Sequence, residues 1–344
     1  MRIKALCLTA ATSFVMFTGL NGARWTPLTL NIRVDHSIVC FNVEVIPRTT
    51  TIATYHADEA APKPYFHPLV AKGADGELLS LARAFPMEKD VAGESKDHGH
   101  HRGIWFCHGD VIAEGFPKPL PLPQVDGVDF WSEGVGRGTL VCSTIGKPTR
   151  NLVYPSIQTA NEWRAPDGTV LLREDRQFQF TAAAVGYLLV VDTTLTATDR
   201  GITFGDTKEG SFAVRVNDQF CEKNGGLIRN SNGKQKEKEC WGQKADWCDY
   251  SGKVNGKPAG ITIFDHPDNS SRACWHVRAY GLMAANPFGR QKSGFPAMKG
   301  RADLVKLKPG ESLRLRYGVL LYAGELKHEQ IQKEYQGFVE LIQK

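Results

Sequence analysis

The chain has 344 residues, 42 Lys and Arg against 37 Asp and Glu, and a formal charge of +5 at pH 7. Acids and bases are interspersed, so the charge gives no case for a nucleic-acid partner. The length allows a sizeable core, as two average domains or as one large β-sandwich.

Residues 1–23, MRIKALCLTAATSFVMFTGLNGA, have a basic end at Arg2 and Lys4, an apolar run from Ala5 to Leu20 and small residues at Gly22 and Ala23. This is the pattern of an export signal, too short and interrupted for a membrane span, with Asn21 standing where a small residue is preferred. No later segment is apolar for long enough to cross a bilayer. The expectation is a secreted or periplasmic protein whose residues 24–344 form one domain. Eight cysteines are present and no two form a CxxC pair, which argues against a zinc ribbon or a thioredoxin-like motif. In an oxidising compartment Cys221, Cys240 and Cys248 are near enough in sequence for a loop-stapling disulfide.

From Trp25 to Thr54, runs such as TLNIRV and SIVCFNVEVI read as strands. KPYFHPL follows as a constrained extended segment, because residues before proline are pushed out of the helical region; His67 within it reads as structural. Residues 98–110, HGHHRGIWFCHGD, hold four of the ten histidines. As a strand, this stretch turns Ile104 and Phe106 to one face and Trp105 to the other, with the polar groups at its ends. Imidazoles exchange protons near neutral pH and are common metal ligands, so the cluster marks a candidate site.

The proline-rich stretch EGFPKPLPLPQVDGVDFWSEG excludes a helix or central strand. Phe130 and Trp131 beside Asp129 and Glu133 suggest an ordered pocket wall suited to a sugar ring. Residues 138–200 are a strand series with a hairpin turn at Asp167-Gly168. Turn signals about ten residues apart with little helical periodicity indicate an all-β protein, a large antiparallel β-sandwich. No βαβ alternation or glycine-rich phosphate loop is present.

GDTKEGSFAVRV places Asp206, Lys208, Glu209 and Arg215 around a strand, and GKQKEKE at 233–239 reads as a solvated loop. A hairpin at Asn255-Gly256 leads to a strand ending in Asp265-His266-Pro267. In CWHVRAYG, alternation puts His276, Arg278 and Tyr280 on one face and Trp275 with Val277 on the other, which is better explained by a lined cavity than by a core. LVKLKPGESLRLRYGVLLYAG reads as a hairpin turning at Pro309-Gly310. Ile331, Tyr335, Phe338 and Ile342 at helical spacing predict a short C-terminal helix over 327–343.

Six strings, KPYFHPL, HHRGIWFCHGD, GDTKEG, NSNG, DHPDN and WHVRAYGLMAANPFG, occur in an order that resembles the PmoA-like family of bacterial proteins of unknown function, over roughly residues 60–325. The resemblance implies a supersandwich like that of the galactose mutarotase-like group, and a link to sugar catabolism. The methane-oxygenase subunit behind the family name is a multi-span membrane protein, and this chain has no spans. Two departures stand out: Gly99 replaces the proline of the family's DHPHHR motif, and a proline-rich insertion follows Asp110.

The first functional expectation is a carbohydrate-active enzyme that epimerises, β-eliminates or hydrolyses a sugar or glycoside. His101, His108 and His276 would exchange protons with Glu209 or Asp265 as partner carboxylate. Arg102, Lys208 and Arg278 would bind hydroxyls or an enolate-like oxygen, and Trp131 and Tyr280 would stack on the ring. A variant has His100 and His108, with His266 or Asp110, bind a divalent metal with one position open. The alternative class is a non-catalytic sugar-binding protein. A copper oxygenase falls last.

Overall fold

The computed structural model describes residues 14–17, 24–27, 29–45, 48–89, 91–119 and 125–342. The expected leader, residues 1–23, lies outside them except for 14–17. In chain order the strands begin β1 (Phe14–Phe17), β2 (Arg24–Pro27), β3 (Thr29–Asp35), β4 (Ile38–Val45), β5 (Arg48–His56), β6 (Tyr65–Lys72) and β7 (Leu78–Ser80). They continue as β8 (Ile104–His108), β9 (Val111–Ala113), β10 (Thr139–Ile145), β11 (Ser156–Arg164), β12 (Val170–Ala183), β13 (Gly186–Ala197), β14 (Ile202–Phe204) and β15 (Gly210–Arg215). The last are β16 (Leu227–Asn230), β17 (Trp247–Val254), β18 (Lys257–Asp265), β19 (Cys274–Arg278), β20 (Leu282–Asn286), β21 (Lys306–Leu307) and β22 (Ser312–Ala323). The α-helices among the described residues are α1 (Lys236–Cys240) and α2 (His328–Ile342).

Two large antiparallel sheets form the sandwich, in the orders β10-β11-β12-β13-β22-β18-β17-β16 and β19-β20-β15-β8-β6-β5-β4-β3. Strand β12 shows why they face each other. Glu174, Arg176, Phe178 and Phe180 are buried while Arg173, Asp175 and Gln177 are exposed, the alternation of a sheet with one wet face. Phe178 meets Phe41, Tyr55 and Phe66 of the opposite sheet. The charges of Glu174 and Arg176 are tolerated inside because they pair and because Trp163 and Thr193 also donate to the carboxylate.

In the other sheet the strands β19, β20, β15 and β8, taken from one edge inward, are buried almost throughout. One face of these strands packs in the sandwich; the other is roofed by loops, and there the candidate site lies. On the opposite side of the molecule, α2 lays Ile331, Tyr335 and Phe338 over Leu188, Val190, Phe264, Leu320 and Tyr322. Among the described residues no helix is long and apolar enough to cross a membrane.

The hairpins at Asp167-Gly168 and Asn255-Gly256 form as expected, the latter with both residues at positive φ, as a two-residue loop needs. Three local expectations change. The Pro309-Gly310 turn joins no hairpin: β21 pairs with β14, while β22 pairs with β13 and β18, because Gly310 donates to Ala197 and Thr198. The run 233–239 is partly the helix α1 rather than solvated loop throughout. Cys221, Cys240 and Cys248 are buried free thiols, each packed in apolar surroundings without a disulfide.

Candidate functional site

The floor of the site is one row of residues across the second sheet. Antiparallel register aligns Tyr65 with Trp105, Trp105 with Ala213, Ala213 with Ala284 and Ala284 with His276. Two alanines between two flat rings leave a shallow depression. Alternation turns Ile104 and Phe106 of β8, and Trp275 and Val277 of β19, toward the core, so Trp105, His276 and Arg278 face outward. Gly103 immediately precedes β8 with φ +53°, and a Cβ there would lie 1.8 Å from the Phe66 carbonyl oxygen, so only glycine lets the histidine loop turn into the strand.

Over this floor the loop 95–101 is held by charge. Asp97 accepts from buried Arg83 at 2.7 Å and buried Arg215 at 2.8 Å through Oδ1, and from His98 Nδ1 at 2.7 Å through Oδ2. Burial works to raise the Asp97 carboxyl, but Arg215, His98 and Arg83 outweigh it and hold the group far below the usual range. Arg83 also donates to the carbonyls of Asp97 and His98. The rings then form a column. His98 lies on His101 (centroids 4.9 Å apart, planes 8° apart), His101 on Trp105 (5.0 Å, 18°), and Tyr280 on His98 (5.1 Å, 9°). His100 meets His101 edge-on at 4.4 Å.

A cavity of about 370 Å³ opens beside the column, lined by His98, His100, His101, His276, Trp131, Ser132, Lys208, Glu209, Arg278 and Tyr280. Glu209 is seated by its backbone, whose carbonyl accepts from Gly109 at 2.7 Å. Asp129 accepts from the Trp131 and Ser132 amides and so shapes the facing wall.

The electrostatics divide the titratable groups. Burial lowers His276 to about 3, helped by the Arg278 charge, and lowers His100 to about 4, helped by Lys63. Burial also pushes His101 well down. Glu209 moves the other way: burial raises its carboxyl, against the opposing charges of Lys208 and Arg278. Because a carbonyl only accepts, His276 Nδ1 donates to Lys208 O at 2.8 Å, and the neutral ring keeps a lone pair on Nε2. That Nε2, both ring nitrogens of His101, and the indole nitrogens of Trp105 and Trp131 are buried without a hydrogen-bond partner. Such atoms are uncommon in folded proteins, and their concentration here calls for a ligand's polar groups.

Of the expected catalytic residues, His101, His276 and Glu209 meet at the cavity, as do Lys208, Arg278, Trp131 and Tyr280. His108 does not. It is buried at the far end of β8, donates from Nε2 to Gly205 O at 2.9 Å, and packs on Phe204 and Phe288. Asp265 is enclosed by Arg272, Asn269 and the Ala273 amide, and His266 packs edge-on against Phe338 of α2, so both belong to the helix-covered side. Asp110 accepts from the Asp126 and Gly127 amides. His100, His108, His266 and Asp110 therefore do not assemble as a metal site, and no group of three or more His, Cys, Asp or Glu among the described residues could hold a metal ion.

Arg102 forks onto Glu133 at 3.0 and 2.9 Å, and Lys63 joins Glu133 and the Trp131 carbonyl, so Arg102 pins the pocket wall instead of reaching a ligand. The stacking role also changes. Trp131 is only 1% exposed and packs against Trp105 and His101, while His98 and the Arg215 guanidinium lie over the Tyr280 ring. Trp131 therefore presents no open face to a ring.

Residues not foreseen are Asp97 and His98 as a pair, Ser132, and Glu237 of α1, which binds Arg278 at 2.9 Å and the Ala279 amide at 2.6 Å. The adjacency of Asp97 and His98 was a usable signal. Glu237, about forty positions before its partner, offered none.

Residues 42–336 match a family of unknown function, DUF6807. The chain belongs to the DUF6807 family. The PmoA-like label suggested by the motifs is not the one this match carries. No curated protein matches the DUF6807 chain in sequence. Among solved structures, the galactosidase domain of an α-galactosidase–sucrose kinase is similar at TM-score 0.44 and 9% identity, over 86% of this chain and 42% of that one. A galactose mutarotase-like protein from Clostridium acetobutylicum gives 0.42 and 9%, over 87% and 99%. Galactose 1-epimerase from Lactobacillus acidophilus gives 0.36 and 8%, over 92% and 100%. The DUF6807 chain thus spans under half the length of the galactosidase structure, and likeness this distant transfers neither substrate nor activity.

Proposed function

We propose that the protein is an exported carbohydrate-active enzyme that moves protons on a hydroxylated ring substrate, with His98 and Glu209 as the exchanging pair. The observation that carries this is the Asp97-His98 pair in the same cavity as a carboxyl raised by burial. A carboxylate on Nδ1 fixes the His98 tautomer and leaves Nε2 for the substrate. Glu209, its affinity for protons increased, is suited to the opposite transfer.

The neutral rings serve recognition. His276 Nε2 accepts a hydroxyl proton, while Lys208, Arg278 and Ser132 supply donors. His101 supports His98 from beneath, as a positioning residue. Proton removal at a sugar carbon followed by return, or followed by loss of a neighbouring oxygen, are the epimerase and lyase forms of this chemistry; protonation of a glycosidic oxygen is the hydrolase form.

The test is turnover of a panel of sugars and glycosides followed by mass spectrometry and by exchange of ring protons in deuterium oxide. His98→Asn and Glu209→Gln are expected to keep ligand affinity and lose about a hundredfold or more in kcat. Sugar binding without turnover or exchange in the unaltered protein would make this a binding protein. Full turnover in both variants would move the chemistry elsewhere.

A further inference from the structure

A second hollow of about 300 Å³ adjoins the first and shares Ser132, Lys208 and Glu209 with it. Its remaining polar lining includes Arg137, Lys292, Asp129, Asp206 and Ser293. Counted by sign alone it is balanced, but two of its three carboxylates, Asp206 and Asp129, are largely engaged by backbone amides. Asp206 accepts from the amides of Arg290, Lys292 and Ser293. Asp129 spends Oδ1 on the amides of Trp131 and Ser132.

The cations are less engaged. Arg137 Nη1 stands 3.4 Å from Asp129 Oδ2, an ion-pair distance, yet is buried without a hydrogen-bond partner. Lys208 Nζ is 3.8 Å from Glu209, beyond hydrogen-bond reach. Lys292 reaches the exposed Asp126 at 3.1 Å. A planar guanidinium with an orphan N–H beside a loosely paired ammonium matches the two oxygens of a carboxylate.

From this we infer that the second hollow receives the carboxylate of an acidic sugar, so that the substrate is a uronic acid or its glycoside. The inference rests on the acid/base reading of the first cavity and names its substrate class. The ring then lies between Glu209 and His98, with its anionic end past Glu209 toward Arg137. Such an anchor fixes which ring carbon faces the proton-exchanging pair.

Calorimetric titration of the full chain with matched pairs, galacturonate against galactose and glucuronate against glucose, tests this. The acid of at least one pair is expected to bind about tenfold tighter or better, the scale of a hydrogen bond to a charged group. In Arg137→Gln that ratio collapses toward one. Lys208→Gln, whose side chain is partly exposed, is expected to reduce it as well and serves where Arg137→Gln misfolds. Equal affinity within both pairs, with binding intact, overturns the carboxylate anchor and leaves the acid/base reading standing. Binding by none of the four sugars overturns both. A ratio unchanged by both variants places the anion elsewhere and overturns the assignment to this hollow.

Discussion

His98 donates from Nδ1 to the Asp97 carboxylate at 2.7 Å, while its ring lies flat against His101, whose ring lies in turn on Trp105. One contact orients the imidazole and the others hold its plane. The same carboxylate is gripped by two buried arginines, so the loop that presents the imidazole cannot shift without separating buried charges from their partner.

Asp97→Asn is the direct test of that arrangement. An amide offers one oxygen where the carboxylate serves Arg83, Arg215 and His98 with two, so the imidazole loses its tautomer control. The expected outcome is a fall in kcat of about a hundredfold with little change in KM, and a lower melting temperature. Steady-state kinetics and a thermal melt check both.

The pH dependence of turnover reports Glu209. Its carboxyl is raised by burial and lowered by Lys208, so its limb of the pH–rate profile is expected above the ordinary glutamate range. In Lys208→Met the opposing charge is gone and the limb moves to still higher pH. A profile identical in both proteins sinks the assignment.

Stability has the opposite acid response. His100, His101 and His276 are held neutral in the fold, at about 4 for His100 and about 3 for His276, whereas unfolded histidines take protons near pH 6.5. Between the unfolded and folded values the unfolded chain binds more protons, so stability falls as pH falls from about 6.5 toward 4. The slope approaches about 1.4 kcal/mol per pH unit for each such group. Raised Glu209 works against this trend, since its contribution is present at low pH and lost as pH rises through its folded value. Urea unfolding between pH 7.5 and 4.5 should show the decline, and His276→Gln should flatten it.

Gly109 is a small residue with a large positional effect. A Cβ there would lie 2.9 Å from both the Glu209 carbonyl oxygen and its Cβ, so Gly109→Ala must push the Glu209 segment aside. Turnover is expected to drop at least about tenfold while the melting temperature changes by a few degrees. Paired kinetics and calorimetry separate the two effects.

Phe338→Ala probes the far side. Phe338 is fully buried and packs on Phe264, His266 and Tyr335. Its removal should cost about 3 to 5 kcal/mol in denaturant unfolding. Ligand affinity at the cavity is expected to be unchanged under folded conditions.

Strand identity, the two hairpin turns, the facing of Ile104, Trp105 and Phe106, and the outward set at His276 and Arg278 were legible in the chain, because a period of two and a turn's demand for positive φ are local properties. The near convergence of positions 100, 209 and 276 followed from reading polar side chains on strand ends. Asp265, His266, His108 and Asp110 carried the same chemistry in the same kind of position and still lie elsewhere.

The sequence by itself therefore determined which residues alternate, where the chain turns and which side chains are able to exchange protons. Only the tertiary structure decided which of those side chains share a cavity, since strand order in the sheet sets β8, β15, β20 and β19 side by side from segments far apart in the chain. It also decided that Arg102 braces a wall while Asp97 and His98 form a pair, because a charge's partner is chosen by distance through space and by burial. Neither quantity is written in the local pattern of residues.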